Sequence, residues 1–72
     1  MRQPIIHDRV RLVQDVPELE LFRGDVGVVC STWCAPTEAY EVEFFPAGLN
    51  VQTRALLLAE QLQVEEAHFA RT

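Results

Sequence analysis

Side chains able to do chemistry are few and scattered in this chain. Cys30 and Cys34 stand four residues apart. Such a pair could supply half of a zinc site, but zinc takes about four ligands, usually as two close pairs. Beyond the cysteines the chain offers only His7 and His68, isolated near opposite ends. The pair therefore reads as a small apolar strand residue, Cys30, and a loop cysteine, Cys34. A disulfide between them is open on geometry and disfavoured in a reducing compartment. No nucleophile–base–orienter grouping is visible, since any triad would have to recruit a histidine from one end of the chain. Glu41 and Glu43 lie two apart, on one face of a strand, where solvation accounts for both carboxylates. No catalytic residue, cofactor or metal follows from these residues, and the chain does not read as an enzyme.

Binding chemistry is better represented. Trp33 is the single tryptophan, with Tyr40 and Phe45 nearby in sequence and Glu38, Glu41 and Glu43 around it. A tryptophan exposed among acidic residues would recognise a peptide or an arginine side chain. A tryptophan folded over the end of a small sheet would instead stabilise it, and both readings stand at this point. The residues expected to meet a partner are Trp33, Glu38, Glu41, Glu43 and Phe45. Arg23-Gly24-Asp25 matches a cell-adhesion tripeptide, but its setting before a Val-rich stretch reads as a turn.

The chain has 72 residues, 49% of them hydrophobic, and a formal net charge of −5. This length makes one domain, which buries only about 60% of the surface its unfolded chain exposes. All six basic residues are arginines, at 2, 9, 11, 23, 54 and 71, and only Arg9 and Arg11 would share a strand face. An acidic balance opposes non-specific attraction to phosphate backbones, which needs clustered positive charge. The first ten residues carry no apolar run of signal-peptide length, and Ala55 to Ala59 is too short to span a bilayer. A cytoplasmic location, with both cysteines as free thiols, is the expectation.

The elements that would position these residues are strands. The phrase Arg23-Gly24-Asp25-Val26-Gly27-Val28-Val29 places two glycines three apart at the start of a Val-rich stretch. Glycines there mark positions where no side chain fits or where φ must be positive. His7–Gln14 reads as strand one, with Val10 and Leu12 on one side and Arg9, Arg11 and Val13 on the other. Pro17 cannot donate to a ladder, so the chain leaves the sheet there. A loop over 17–23, with room for one helical turn, follows. Asp25–Thr32 reads as strand two and Trp33–Glu38 as a loop. Ala39–Phe45 is strand three, with Tyr40, Val42 and Phe44 inward. Pro46-Ala47-Gly48 signals a turn. Leu49–Leu58 is strand four, Ala59–Leu62 a helical turn and Gln63–Glu65 a short strand five. Glu66–Thr72 is a fraying helix or a tail. The fold class is all-β: a small five-stranded barrel with one short helical turn before the last strand, its core spanning about 7–64. Phe45 and Leu57 are expected to point away from the core face. Leu56 and Leu58 then make both faces of strand four apolar. Apolar residues on both sides of an outer strand imply a homodimer, unless Val64, Ala67 and Phe69 of the C-terminal segment cover the second face.

The order Asp8-x-Val10-x-Leu12, Gly24-Asp25-Val26-Gly27-x-Val29, Tyr40-Glu41-Val42-Glu43-Phe44 and a Leu-rich strand ending in Glu60-Gln61-Leu62 resembles a family of small bacterial proteins, domain of unknown function 4926. The likeness covers roughly residues 7–64. It implies an SH3-like barrel; the family has no established activity, so no catalytic residue carries across. The Gly-x-x-Gly-x-Val phrase is also similar to the KOW motif of ribosomal and transcription-elongation barrels, and to a stretch of the acceptor-side barrel subunit of photosystem I. The preferred expectation is a non-enzymatic protein-interaction module, an accessory or neutralising partner of another, basic protein. One rival is a KOW-like nucleic-acid-binding barrel using Arg9, Arg11, Arg23 and Arg54. Another is a small-ligand binder with a pocket at the barrel mouth or at a dimer interface.

Overall fold

The computed structural model describes residues 3–34, 37–44 and 53–66. Five strands run in chain order as β1 (Arg9–Leu12), β2 (Val26–Trp33), β3 (Ala39–Phe44), β4 (Thr53–Leu57) and β5 (Leu62–Glu66). Two single 3₁₀ turns, Pro17–Leu19 and Ala59–Gln61, interrupt them. All strand pairs are antiparallel, in the order β4-β3-β2-β1-β5. The all-β class, the five strands and the helical turn before the last strand agree with the sequence reading. The expected turn at Pro46-Ala47-Gly48, the first part of strand four and the segment with Ala67, His68 and Phe69 lie outside the described residues.

Alternation decides which side chains are inside. Tyr40, Val42 and Phe44 on β3 are buried while Ala39, Glu41 and Glu43 between them are half-exposed. Val10 and Leu12, Val29, Ala55 and Leu57, and Leu62 complete the core from the other strands, and Val16 and Leu21 close it from the loop after β1. Full burial of a Leu or Val side chain stabilises by about 1.5–3 kcal/mol, so this one cluster carries the fold.

Leu57 corrects the sequence reading. It is 2% exposed and belongs to the core, whereas Leu56 and Leu58 point outward. The register explains the exchange: Tyr40 pairs with Leu57 and Val42 with Ala55, and residues directly opposite share a face. Val64 also packs against the core, opposite Val10, and does not cover the outer face.

Two turns built alike set the starts of β1 and β2. The Ile5 N–H donates to Asp8 Oδ2 at 2.8 Å, and the Asp8 N–H returns to the Ile5 carbonyl at 3.0 Å. Likewise the Phe22 N–H donates to Asp25 Oδ2 at 2.9 Å, and the Asp25 N–H to the Phe22 carbonyl at 2.9 Å. The third residue of each turn has positive φ, +79° at His7 and +97° at Gly24, as a type II turn requires. The Arg23-Gly24-Asp25 tripeptide is thus a structural turn whose carboxylate is used locally. Gly27 answers the other need: a Cβ there would lie 2.6 Å from the Glu43 carbonyl oxygen.

β2 carries a bulge. Val29 pairs with Val42, but Ser31 pairs with Glu41, so Cys30 is the extra residue. A bulge bends and twists its strand and re-aims the side chains beyond it. Beyond this one, Ser31 and Trp33 share the outer face with their partners Glu41 and Ala39. The strand thus runs through Trp33, which the sequence assigns to the following loop.

Candidate functional site

The outer face of β2, β3 and β4 is a small grid fixed by register. One row runs Val28–Glu43–Arg54 and the next Ser31–Glu41–Leu56. The row after it pairs Trp33 with Ala39, and Leu58 continues β4 on the same side. Trp33 is 51% exposed, Leu56 61% and Leu58 38%. The last two rows therefore hold an apolar corner, Trp33, Leu56 and Leu58, beside a charged one.

Arg54 organises the charged corner. Its Nη2 lies 3.3 Å from Glu43 Oε2 and its Nη1 3.5 Å from Glu41 Oε2. Both carboxylates are half-buried between neighbouring strands. The hydrogen bond to Glu43, then the neighbouring Cys30 and the charges of Glu43 and Glu41, raise the Arg54 pKa further above its already high ordinary value. The two carboxylates share one guanidinium, which leaves the corner with a residual negative charge. In the rival nucleic-acid reading of the sequence, Arg54 is one of the phosphate-binding arginines. The signal against that reading is its place as the lone cation of an apolar strand that must pair with the alternating Glu41 and Glu43.

The expected partner-binding residues divide. Trp33, Glu41 and Glu43 come together on the outer face. Glu38 belongs to the other side of the hairpin: it is exposed and accepts from Gln3 Nε2 at 3.1 Å and from the Tyr40 hydroxyl. Burial first, and the Glu38 carboxylate second, raise the Tyr40 pKa above 10.0. Phe45 lies outside the described residues. Of the two readings of Trp33, exposure is the one found.

The remaining chemistry is dispersed. Cys30 and Cys34 are both free. Four residues of extended chain separate their Cα atoms by about 13 Å, beyond the roughly 7 Å a disulfide spans, so a bridge between them is closed while β2 is intact. Among the described residues no three of His, Cys, Asp and Glu converge as metal ligands. Arg9 and Arg11 share a face as expected, and both pair with Glu65 of β5, Arg9 at 3.7 Å. Arg23 sits in its turn with its backbone N–H on Asp15 Oδ1 at 2.8 Å. A shallow depression of about 260 Å³ opens beside Arg9, Val26, Gly27 and Val28. Among the described residues no helix is long and apolar enough to cross a membrane.

The chain belongs to the family described as Domain of unknown function (DUF4926), which it matches over residues 6–64. No curated protein and no solved structure matches the chain.

Proposed function

We propose that this chain is a non-enzymatic protein-interaction module of SH3-like barrel type, acting in the cytoplasm as an accessory or neutralising partner of another protein. The strand order β4-β3-β2-β1-β5, the bulged β2 and the 3₁₀ turn before β5 support the barrel assignment. The observation that carries the function is the outer face: an exposed Trp33 beside the outward Leu56 and Leu58, with the carboxylates of Glu41 and Glu43 adjacent. An aromatic anchor with apolar neighbours and a polar rim is the anatomy of a protein interface. The net charge of −5 suits a basic partner through steering and complementary rim charges.

The nucleic-acid reading is weaker on the same geometry. Three of its four arginines, Arg9, Arg11 and Arg54, are each held by carboxylates of the chain itself. A phosphate would have to compete with those partners. Affinity capture of the tagged chain from its host's lysate, with and without nuclease, separates the two. A nuclease-resistant protein partner is expected; recovery only of material that nuclease abolishes would overturn the proposal.

A further inference from the structure

β4 ends the sheet, and its outer edge is paired to nothing among the described residues. An edge strand presents a row of unpaired N–H and C=O groups, which only another extended chain satisfies in full. Natural edges are usually blunted by charge or proline. β4 keeps one charge, Arg54, but sets Leu56, the most exposed large apolar side chain among the described residues, between it and Leu58 in its outward row.

The chemistry of that edge selects its occupant. Glu41 and Glu43 lie one strand inward and hold the Arg54 guanidinium over β3, so the row next to an incoming strand is the Arg54 stem, Leu56 and Leu58. The incoming strand must offer an apolar residue opposite Leu56 and another along the Arg54 stem. A second copy of β4 does so in one register. Antiparallel pairing about a two-fold axis through Leu56 sets Leu56 against the partner copy's Leu56 and Arg54 against the partner copy's Leu58. The Arg54 stem can lie along that leucine while its head keeps its carboxylates. A two-fold axis on Arg54 would instead set Arg54 against Arg54, with no apolar side chain along either stem.

We infer that the chain forms a two-fold homodimer by antiparallel pairing of β4 with β4, centred on Leu56, which joins the two sheets into one of ten strands. The outer faces become continuous, and each Trp33 lies two strands from the seam. This pairing shares Leu56 and Leu58 with the face proposed above and leaves Trp33 outside the seam, so loss of the dimer and loss of the heterologous partner are read separately, by sedimentation and by capture.

Sedimentation equilibrium on the full chain, with disulfide trapping in a Cys30→Ser/Cys34→Ser background, tests it. Dimers are expected for the wild type. Leu56→Arg, which places two arginines at the axis, should raise the dimer dissociation constant at least about tenfold. Leu56 is outward, so this variant should keep the wild-type circular dichroism. Leu56→Cys should cross-link on mild oxidation, because directly opposed residues have Cα atoms about 4.5–5.5 Å apart. Arg54→Cys should not cross-link, being four residues from its own copy. A strict monomer at high concentration would overturn the inference. A dimer that tolerates Leu56→Arg, or one that traps Arg54→Cys in place of Leu56→Cys, would overturn it equally.

Discussion

A Cβ on Gly27 would meet the Glu43 carbonyl oxygen at 2.6 Å and the Val42 and Phe44 side chains at 2.8 and 2.9 Å. Backbone cannot retreat there without opening the β2–β3 ladder. Gly27→Ala should therefore cost on the order of 3 kcal/mol, visible as a fall in Tm of more than about 10 °C. Gly24→Ala meets open space and is opposed only by its φ of +97°, a cost of about 1 kcal/mol. Thermal denaturation of both variants should rank them in that order. The lone tyrosine supplies a pH readout. Its hydroxyl ionises above 10.0 in the fold, through burial first and Glu38 second. The folded chain then holds a proton that the unfolded chain releases, so stability is full below pH 10.0 and falls as pH rises through the folded value. Absorbance titration near 295 nm should show the raised midpoint. Glu38→Gln should bring it partway back and leave the part due to burial.

At the scale of elements, β4 separates what could be read from what could not. Leu57→Ala should cost about 3 kcal/mol by opening a cavity, while Leu56→Ala, at low protein concentration, should stay within about 0.5 kcal/mol. Chemical denaturation of the two variants checks the pair. Three leucines in a row carry no alternation, so the sequence does not say which faces inward; pairing with Tyr40 decides it. β3 is legible because Glu41 and Glu43 alternate with Tyr40, Val42 and Phe44. The glycine phrase is legible in kind: one glycine serves φ and the other serves space. The bulge at Cys30 is not legible, since an extra residue leaves no local mark when its neighbours are small or β-branched. For the same reason Trp33 reads as loop, although β2 runs through it. The candidate site is legible in its residue types, an aromatic among carboxylates. Its composition is not, because the pairing of Glu41 and Glu43 with Arg54, and the separation of Glu38 from them, depend on cross-strand register.

The described residues form a five-stranded sheet with one filled core, and its outer face carries the exposed groups that could serve a partner. A net charge of −5 gives long-range attraction to a basic protein, and Trp33, Leu56 and Leu58 give a short-range anchor. These two contributions separate by salt, which weakens the first and leaves the second. The central claim is that this face holds a protein partner other than a second copy of the chain. The most direct measurement is quantitative affinity capture from nuclease-treated lysate on three baits: the wild type, Trp33→Ala, and Gln63→Ala on β5 as a distant exposed control. All three should fold, which circular dichroism confirms before capture. The expected result is one protein enriched on the wild type and on Gln63→Ala, and lost at least about tenfold on Trp33→Ala. Equal enrichment on all three baits, or no enrichment once nucleic acid is removed, would contradict it.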